Sequence, residues 1–383
     1  MRGELYRPLG LHLDSDRSRR APTATALAAS GVAALMLCGS LAIATVGQPE
    51  RRSVDMLADT TPAETPAAMV ATAPAPVTGR PLPTIIRPPA DRADSGAPAG
   101  GVGFRVEEPE SLRQPPSMAH LPDEQLIEDS AFGPLPMRGA DGRRPFDVYA
   151  GATRGVPGAR IAIVVGGIGI SQTGSMNAIQ SLPAGVTFGF SPAGNSLDRW
   201  MQEARRAGHE LVLQVPLEPV GYPEVDPGPD TLTVADAAAN NFDALYATLG
   251  RLTNYVGVMS YMGGRFTGEP AAMEPLIAEL GRRGLMYLDD SSSLRSLAKD
   301  TTALQRVPFA AASLTVDRTQ DPADIRRQLD TLEQIARAEG SAVGVASAFD
   351  ISIATISEWI SQVEGRGVEI VPVSALARDF ERR

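Results

Sequence analysis

The sequence is poor in the side chains that most often bind transition metals. Its single cysteine is Cys38, and its three histidines are His12, His120 and His209. One cysteine excludes both an intrachain disulfide and a zinc site built from cysteines. With so few histidines, any metal-dependent chemistry must rest mainly on carboxylates.

A concentration of positive charge is also missing. The net charge is −10, and lysine and arginine form no dense stripe, which argues against binding to nucleic acid. The chain contains no HExxH zinc motif and no GxSxG nucleophile elbow. The segment Gly166-Gly167-Ile168-Gly169 has Gln172 where a dinucleotide-binding loop needs a third glycine, so we interpret it as a tight turn between a strand and a helix.

The segment 21–49 contains no charged residue. It exceeds the roughly 20 residues that span a bilayer. Three arginines at positions 17, 19 and 20 precede it, which favours a cytoplasmic N-terminus. We predict a cytoplasmic tail at 1–20 and a single-pass anchor at 21–49 in a bacterial inner membrane, with the following domain in the periplasm. A cleaved signal peptide and a buried helix of a soluble domain are the alternatives.

Proline is concentrated between residues 50 and 150, in repeated Ala-Pro, Thr-Pro and Pro-Pro pairs. Proline removes backbone donors and fixes φ, so this composition predicts a disordered, extended linker. Within it, the partly apolar stretch 121–132 is a candidate for docking on the following domain. The string Asp141-Gly142-Arg143-Arg144-Pro145 is typical of a turn.

Residues 151–383 change to short apolar runs that alternate with amphipathic stretches. This alternation predicts parallel strands joined by helices. About eight strands favour a distorted (β/α) barrel, with an open doubly wound sheet as the alternative. The predicted strands are 161–165, 186–190, 210–215, 255–259, 285–288, 309–314, 342–345 and 368–371, and the predicted helices are 196–207, 234–250, 270–283, 323–338 and 353–364.

In either architecture ligands bind at the carboxyl ends of the strands, where several polar residues are expected. Asp289, Glu218 and Asp317 are candidate catalytic carboxylates, because acid–base chemistry requires positioned carboxyl groups. Adjacent residues of a strand point to opposite faces, so only one of Asp289 and Asp290 can face the mouth of the barrel unless the strand has already ended. A helix-capping role is the alternative for both and is favoured for Asp290. His209 precedes a strand, at the end opposite to a barrel active site, and we interpret it as structural.

Four further residues are candidates for substrate binding, namely Tyr261, Arg265, Gln214 and Asp290. Arg265 suits an anionic or hydroxylated ligand, although an ion pair is an alternative role.

Several strings, taken together and in order, resemble the divergent polysaccharide deacetylases of bacteria. The resemblance covers about residues 155–378. It rests on Ile161-Ala162-Ile163-Val164-Val165, Gly208-His209-Glu210-Leu211-Val212-Leu213-Gln214-Val215-Pro216-Leu217-Glu218, Tyr255-Val256-Gly257-Val258-Met259-Ser260-Tyr261-Met262-Gly263, Gly284-Leu285-Met286-Tyr287-Leu288-Asp289, Gly340-Ser341-Ala342-Val343 and Gly367-Val368-Glu369-Ile370-Val371-Pro372. It implies a distorted (β/α) barrel of the polysaccharide-deacetylase type. It also implies an envelope polysaccharide or peptidoglycan-like glycan as partner.

The same resemblance implies a divalent metal held by aspartate and histidine, yet this sequence departs from that pattern. Gly166 and Gly167 stand where better-preserved relatives have two aspartates, and Tyr261 and Ser347 stand where they have histidines. His209, Glu218, Asp289 and Asp317 remain at matched positions. We therefore predict no cofactor, since the family's usual ligand set is missing, and a divalent metal held by carboxylates is the alternative.

Three functional hypotheses follow. The first is a member of the family with a degenerate metal site that binds carbohydrate or an envelope partner without hydrolysis. The second is an active deacetylase or hydrolase that uses Asp289 with Glu218 or Asp317. The third is an anchored scaffold that acts through the proline-rich linker.

Overall fold

The computed structural model describes residues 112–382. Its main sheet is parallel and has the strand order β8-β7-β6-β5-β4-β3-β10-β9, with β11 pairing beside the start of β3. The strands are β1 Ile127–Ser130, β2 Gly133–Pro136, β3 Ala159–Ile168, β4 Thr187–Phe190, β5 Leu211–Pro216, β6 Gly257–Tyr261, β7 Met286–Asp289, β8 Phe309–Ala311, β9 Leu314–Thr315, β10 Ser341–Ser347 and β11 Val368–Ile370.

The two edges of this sheet are joined by a single short segment. Strands β8 and β9 lie at opposite ends of the order, yet only Ala312 and Ser313 separate them. The Ala312 amide donates to the Asp289 carbonyl of β7 (2.9 Å), and the Ser313 amide donates to the Val343 carbonyl of β10 (2.7 Å). The sheet therefore curls round on itself, as in a (β/α) barrel, and the alternative of an open doubly wound sheet is not what the structure contains.

Helices follow most strands, as the alternation of patterns predicts. They are α1 Pro145–Val148, α2 Gln172–Ser181, α3 Leu197–Arg206, α4 Val234–Ala238, α5 Asp243–Leu249, α6 Pro270–Arg283, α7 Ala298–Gln305, α8 Pro322–Glu339 and α9 Asp350–Val363. The helix predicted over 234–250 is divided into α4 and α5. Asn240, which has a left-handed φ of 55°, lies between them, and asparagine adopts this conformation more readily than most residues.

Two apolar layers result from the alternation of side chains along each strand. In β3, Ile161, Ile163 and Val165 pack outward against the helices, whereas Ala162 and Val164 point into the barrel. The same period of two runs through the other strands. It decides which residue at each carboxyl end faces the interior.

Residues 112–150 close the amino-terminal end of the barrel. Leu126 and Tyr149 are buried in the same cluster as the interior strand residues. The buried Arg205 donates to the carbonyls of Tyr149 (2.9 Å) and Ala119 (3.3 Å). The prediction of a disordered linker up to residue 150 therefore needs correction over 112–150, because buried apolar side chains and a buried arginine hold this segment on the barrel. The predicted docking of 121–132 agrees with this arrangement.

The predicted cytoplasmic tail and anchor, and the linker as far as residue 111, lie outside the described residues. Among helices within 112–382, none has the length and apolar character required to cross a membrane.

Candidate functional site

A pocket of about 480 Å³ opens at the carboxyl ends of the parallel strands, within the volume range typical of ligand sites. Its wall combines apolar side chains with polar groups from nearly every strand of the barrel. The lining residues are Gly166, Gly167, Ile170, Ser171, Ser191, Pro192, Ala193, Gln214, Pro216, Pro227, Pro229, Met259, Tyr261, Asp290, Ser292, Thr315, Val345, Ala346, Ser347, Ala348 and Phe349.

The back of the pocket is formed by two glycines and a glutamine. Gln214 is buried, and its Oε1 accepts a hydrogen bond from the Gly167 amide (2.8 Å). A Cβ at position 166 would lie 3.0 Å from Gln214 Nε2. Gly167 has a φ of 81°, which is unfavourable for other residues. The Gln214 amide therefore occupies the space into which a side chain at 166 would project.

Tyr261 and Asp290 stand side by side at the front of the pocket. Met259 of β6 pairs with Leu288 of β7. Tyr261 is the last residue of β6, and Asp290 directly follows the end of β7. The Ser260 hydroxyl donates to Asp290 Oδ1 (3.1 Å) and accepts from the Asp290 amide (3.0 Å). Tyr261 is 40% exposed, so its ring is accessible to a ligand.

Asp289 faces away from the pocket. Its carboxylate accepts hydrogen bonds from the Ser296 hydroxyl (2.5 Å) and the Ser291 amide (2.9 Å) in the loop before α7. Burial raises the pKa of Asp289, although these two hydrogen bonds oppose the rise. Asp289 therefore holds this loop, while Asp290 lines the pocket.

Glu218 and Arg265 form an ion pair beside the pocket. The other Glu218 oxygen accepts from the Val234 amide (2.7 Å) at the start of α4. The Glu218 backbone also bonds to Leu232 and Phe266. These contacts fix both ends of the loop 219–231. The structure thus places Glu218 and Arg265 in a loop anchor and not in the pocket lining.

Asp317 is buried behind the opposite wall of the barrel mouth. Its Oδ2 accepts from the Ser347 amide (2.7 Å) and from the Ser352 hydroxyl (2.8 Å). It connects the end of β10 to the first turn of α9. Asp289, Glu218 and Asp317 therefore lie behind three different parts of the rim, and the structure does not bring these carboxylates together.

His209 lies at the amino-terminal end of the barrel, far from the pocket. It is buried, its ring stacks on Phe188 with centroids 4.1 Å apart, and its Nδ1 lies 2.9 Å from the Val186 carbonyl. Burial lowers the pKa of His209, so the neutral form is favoured. The structural interpretation of this residue agrees with these contacts.

The residues of the pocket do not fit a divalent metal of the kind that deacetylase chemistry requires. Asp290 provides the only carboxylate among the lining residues, and no histidine or cysteine is present there. Throughout residues 112–382, no group of three or more histidine, cysteine, aspartate or glutamate side chains is arranged to hold a metal. Gly166, Gly167, Tyr261 and Ser347 supply no aspartate or imidazole ligand.

Sequence reasoning missed the contribution of loops to the pocket. Phe349, which is 46% exposed, and Ile170, which is 64% exposed, lie at its rim. Pro227 and Pro229 reach it from the loop 219–231. These residues lie in loops beyond the strand ends. Hydrophobic periodicity identifies strands, but it does not show which loop residues reach a pocket.

Comparison with known proteins agrees with this architecture. The model of the family described as divergent polysaccharide deacetylase matches residues 163–377, which is more than half of the chain. The chain belongs to the divergent polysaccharide deacetylase family. The matched residues begin in β3 and extend beyond β11, so they include every strand of the main sheet.

Two uncharacterised bacterial proteins are among the relatives of this chain. One, from Haemophilus influenzae, is 24% identical over 58% of this chain and 78% of its own length. The other, YibQ of Escherichia coli, is 20% identical over 52% of this chain and 62% of its own length. The crystal structure of an uncharacterised protein from Agrobacterium tumefaciens superposes with a TM-score of 0.62 at 54% identity, covering 64% of this chain and 99% of that one.

Proposed function

We propose that the barrel binds a carbohydrate in the pocket at its carboxyl end and does not deacetylate it by metal catalysis. The observation that carries this proposal is the occupation of the back of the pocket by Gln214. Its amide bonds to Gly167 and fills the space over Gly166, where a metal-ligating side chain would otherwise project. The family supports carbohydrate as the ligand class, since its model is that of a polysaccharide deacetylase.

The pocket combines features that suit a hydroxylated ligand. Gln214, Tyr261, Asp290 and Ser347 present polar groups at its wall, while Met259 and other apolar side chains lie between them. A few placed polar groups in an apolar cleft are the usual arrangement of small-molecule sites. Envelope glycans of the peptidoglycan type are the ligands we propose.

The alternative of a carboxylate-based hydrolase has less support. Such an enzyme needs an acid and a base within reach of one substrate atom. Asp289, Glu218 and Asp317 bond instead to Ser296, Val234 and Ser352.

Two measurements on the full chain decide between binding and hydrolysis. Glycan affinity is measured by calorimetry with soluble peptidoglycan fragments, and acetate release is assayed with the same fragments in the presence of zinc, manganese or magnesium. We expect binding without acetate release. Metal-dependent acetate release by the full chain would overturn the proposal, and so would a failure to bind any glycan.

We further propose that the protein acts in the bacterial envelope, attached to the inner membrane by residues 21–49. The uncharged segment and the preceding arginines support this location. We expect the full chain to fractionate with membranes and to be digested by protease added to spheroplasts. A full chain recovered from the cytosol and resistant to that protease would contradict the location.

A further inference from the structure

The pocket wall carries negative charge and no positive charge. Among its lining residues, Asp290 is the only charged one, and no lysine, arginine or histidine faces the cavity. Asp290 Oδ1 accepts from two neutral donors, the Ser260 hydroxyl and the Ser292 amide (3.0 Å). No residue in the described part of the chain bonds to its Oδ2. The pocket thus presents a carboxylate without a counter-ion.

Within residues 112–382 no arginine or lysine forms an ion pair with this carboxylate, and that includes Arg295 of the same loop. Arg265 is committed to Glu218 in the ion pair at the base of the loop 219–231. The two other carboxylates around the mouth, Asp289 and Asp317, are bonded to serine hydroxyls and backbone amides and have no ion pair. The mouth of the barrel is therefore expected to attract cations, because unpaired charges in a cleft of lowered dielectric constant focus the field.

An aromatic ring beside the carboxylate adds to this preference. Tyr261 stands on the strand next to Asp290, and the Phe349 ring lies at the rim of the same pocket. The face of an aromatic ring attracts an ammonium group, and the attraction increases where water is excluded. A carboxylate and a ring face at the ends of adjacent strands form a suitable binding site for a primary ammonium group.

Gln214 supplies a hydrogen-bond donor on another part of the pocket wall. Gln214 Nε2 is a hydrogen-bond donor, and its Oε1 is already engaged by Gly167. Gln214 lies on β5 and Asp290 follows β7, two strands apart, so the two groups are separated by roughly 10 Å at the usual strand spacing. A ligand that meets both must carry an ammonium at one place and an oxygen acceptor at another.

From these groups we propose that the pocket prefers amino sugars with free amines over N-acetylated sugars. This inference rests on the proposed carbohydrate-binding function and names the ligand class of the same site. The ammonium of one sugar unit binds between Asp290 and the Tyr261 ring, and a hydroxyl of a neighbouring unit accepts from Gln214 Nε2. An N-acetyl group can donate a hydrogen bond through its N–H, but it carries no charge and would leave the carboxylate without a counter-ion.

The test compares two oligosaccharides that differ only in acetylation. Binding of the β-1,4-linked tetramer of glucosamine and of the tetramer of N-acetylglucosamine to the full chain is measured by calorimetry in mildly acidic buffer. We expect the glucosamine tetramer to bind about tenfold more tightly or more, which is the effect of one charged hydrogen bond. This advantage should shrink as salt is added.

Two variants with the same change of net charge make the test specific. Asp290→Asn removes the carboxylate in the pocket, and Asp129→Asn removes one on the exposed β-hairpin at the other end of the barrel. We expect Asp290→Asn to abolish the preference for the glucosamine tetramer and Asp129→Asn to leave it unchanged. Near-UV circular dichroism checks that both variants remain folded.

Other outcomes separate the failure of this inference from the failure of the proposed function. If the N-acetylated tetramer binds as tightly or more tightly and Asp290→Asn changes nothing, the preference is refuted while carbohydrate binding stands. If neither tetramer binds, both the preference for amino sugars and the proposed carbohydrate-binding function are refuted. If tetralysine binds as tightly as the glucosamine tetramer and both variants weaken it equally, the attraction is a general effect of net charge and the inference is wrong.

Discussion

Two charged side chains, Arg144 at one end of the barrel and Asp290 at the other, differ in their pairing. At the amino-terminal end, the buried Arg144 is paired with Asp147, Asp379 and Glu381. At the carboxyl end, Asp290 faces a pocket of about 480 Å³ without a counter-ion. Burying a charge without a partner is costly, so the closed end is built for stability. The open end leaves a charge available for a ligand.

The largest effect is expected from Arg144→Met. This change keeps much of the side-chain volume but leaves the nearby carboxylates without their common partner. Removing one member of a buried ion-pair network typically costs about 3 kcal/mol or more. We expect a loss of that size in the free energy of unfolding, measured by urea denaturation.

A matched control for this prediction is Arg327→Met. Arg327 pairs with Asp324 on the surface, and its side chain is 68% exposed, so its removal should cost less than about 1 kcal/mol. Equal losses of unfolding free energy in Arg144→Met and Arg327→Met would contradict a stabilising role for the buried ion pairs of Arg144.

The next largest effect concerns the pH dependence of stability through Glu210. Its buried carboxylate accepts from the amides of Gly151 (2.8 Å) and Ser374 (2.9 Å). Burial raises the pKa of Glu210, although these hydrogen bonds oppose the rise. The folded state holds the Glu210 proton more tightly than the unfolded chain does. Protonation of Glu210 therefore contributes to the free energy of unfolding at acidic pH, and this contribution is lost as pH rises through the raised pKa.

Glu210→Gln cannot accept all of these hydrogen bonds, and we expect it to cost about 1–3 kcal/mol at acidic pH. The difference in unfolding free energy between the natural protein and this variant should decrease as pH increases. Urea denaturation over a pH series measures this trend. A difference that grows with pH would show that the pKa of Glu210 is not raised.

At the open end, Tyr261→Ala is expected to affect binding more than stability. The side chain is 40% exposed, so its removal should change the unfolding free energy by no more than about 1 kcal/mol. Loss of the ring should weaken binding of the glucosamine tetramer about tenfold. Tyr222→Ala, on the same side of the barrel but outside the pocket lining, is the control and should bind normally.

The smallest effect tests the packing of Gln214 over the glycine pair. A methyl group in Gly166→Ala would meet Gln214 Nε2 at 3.0 Å, and overpacking of this kind costs about 1 kcal/mol. The double variant with Gln214→Ala should recover part of that loss. Strictly additive effects in the double-mutant cycle would argue against direct contact between the two positions.

Much of the barrel could be predicted from local sequence. The continuous apolar run 161–165 predicts a strand buried on both faces, and β3 spans Ala159–Ile168. The amphipathic stretch 270–283 coincides with α6, which begins at Pro270 and ends before Gly284 with its left-handed φ of 73°. Local periodicity and end signals are sufficient in these cases because burial on one side repeats along the element.

The structure divides the predicted site residues into two groups. Gln214, Tyr261 and Asp290 line the pocket, whereas Asp289, Glu218, Asp317 and Arg265 bond within the surrounding loops. Both groups are polar residues at strand ends. Their sequence context does not reveal which partner each side chain reaches.

The sequence by itself determined that, as long as the strand continues, at most one of Asp289 and Asp290 could face the barrel mouth, because neighbouring strand residues point in opposite directions. Only the tertiary structure decided that it is Asp290. The choice depends on the phase of β7 within the curled sheet, where Met286 and Leu288 point inward and Tyr287 points outward. That phase is set by long-range pairing with β6 and β8, which no local pattern encodes.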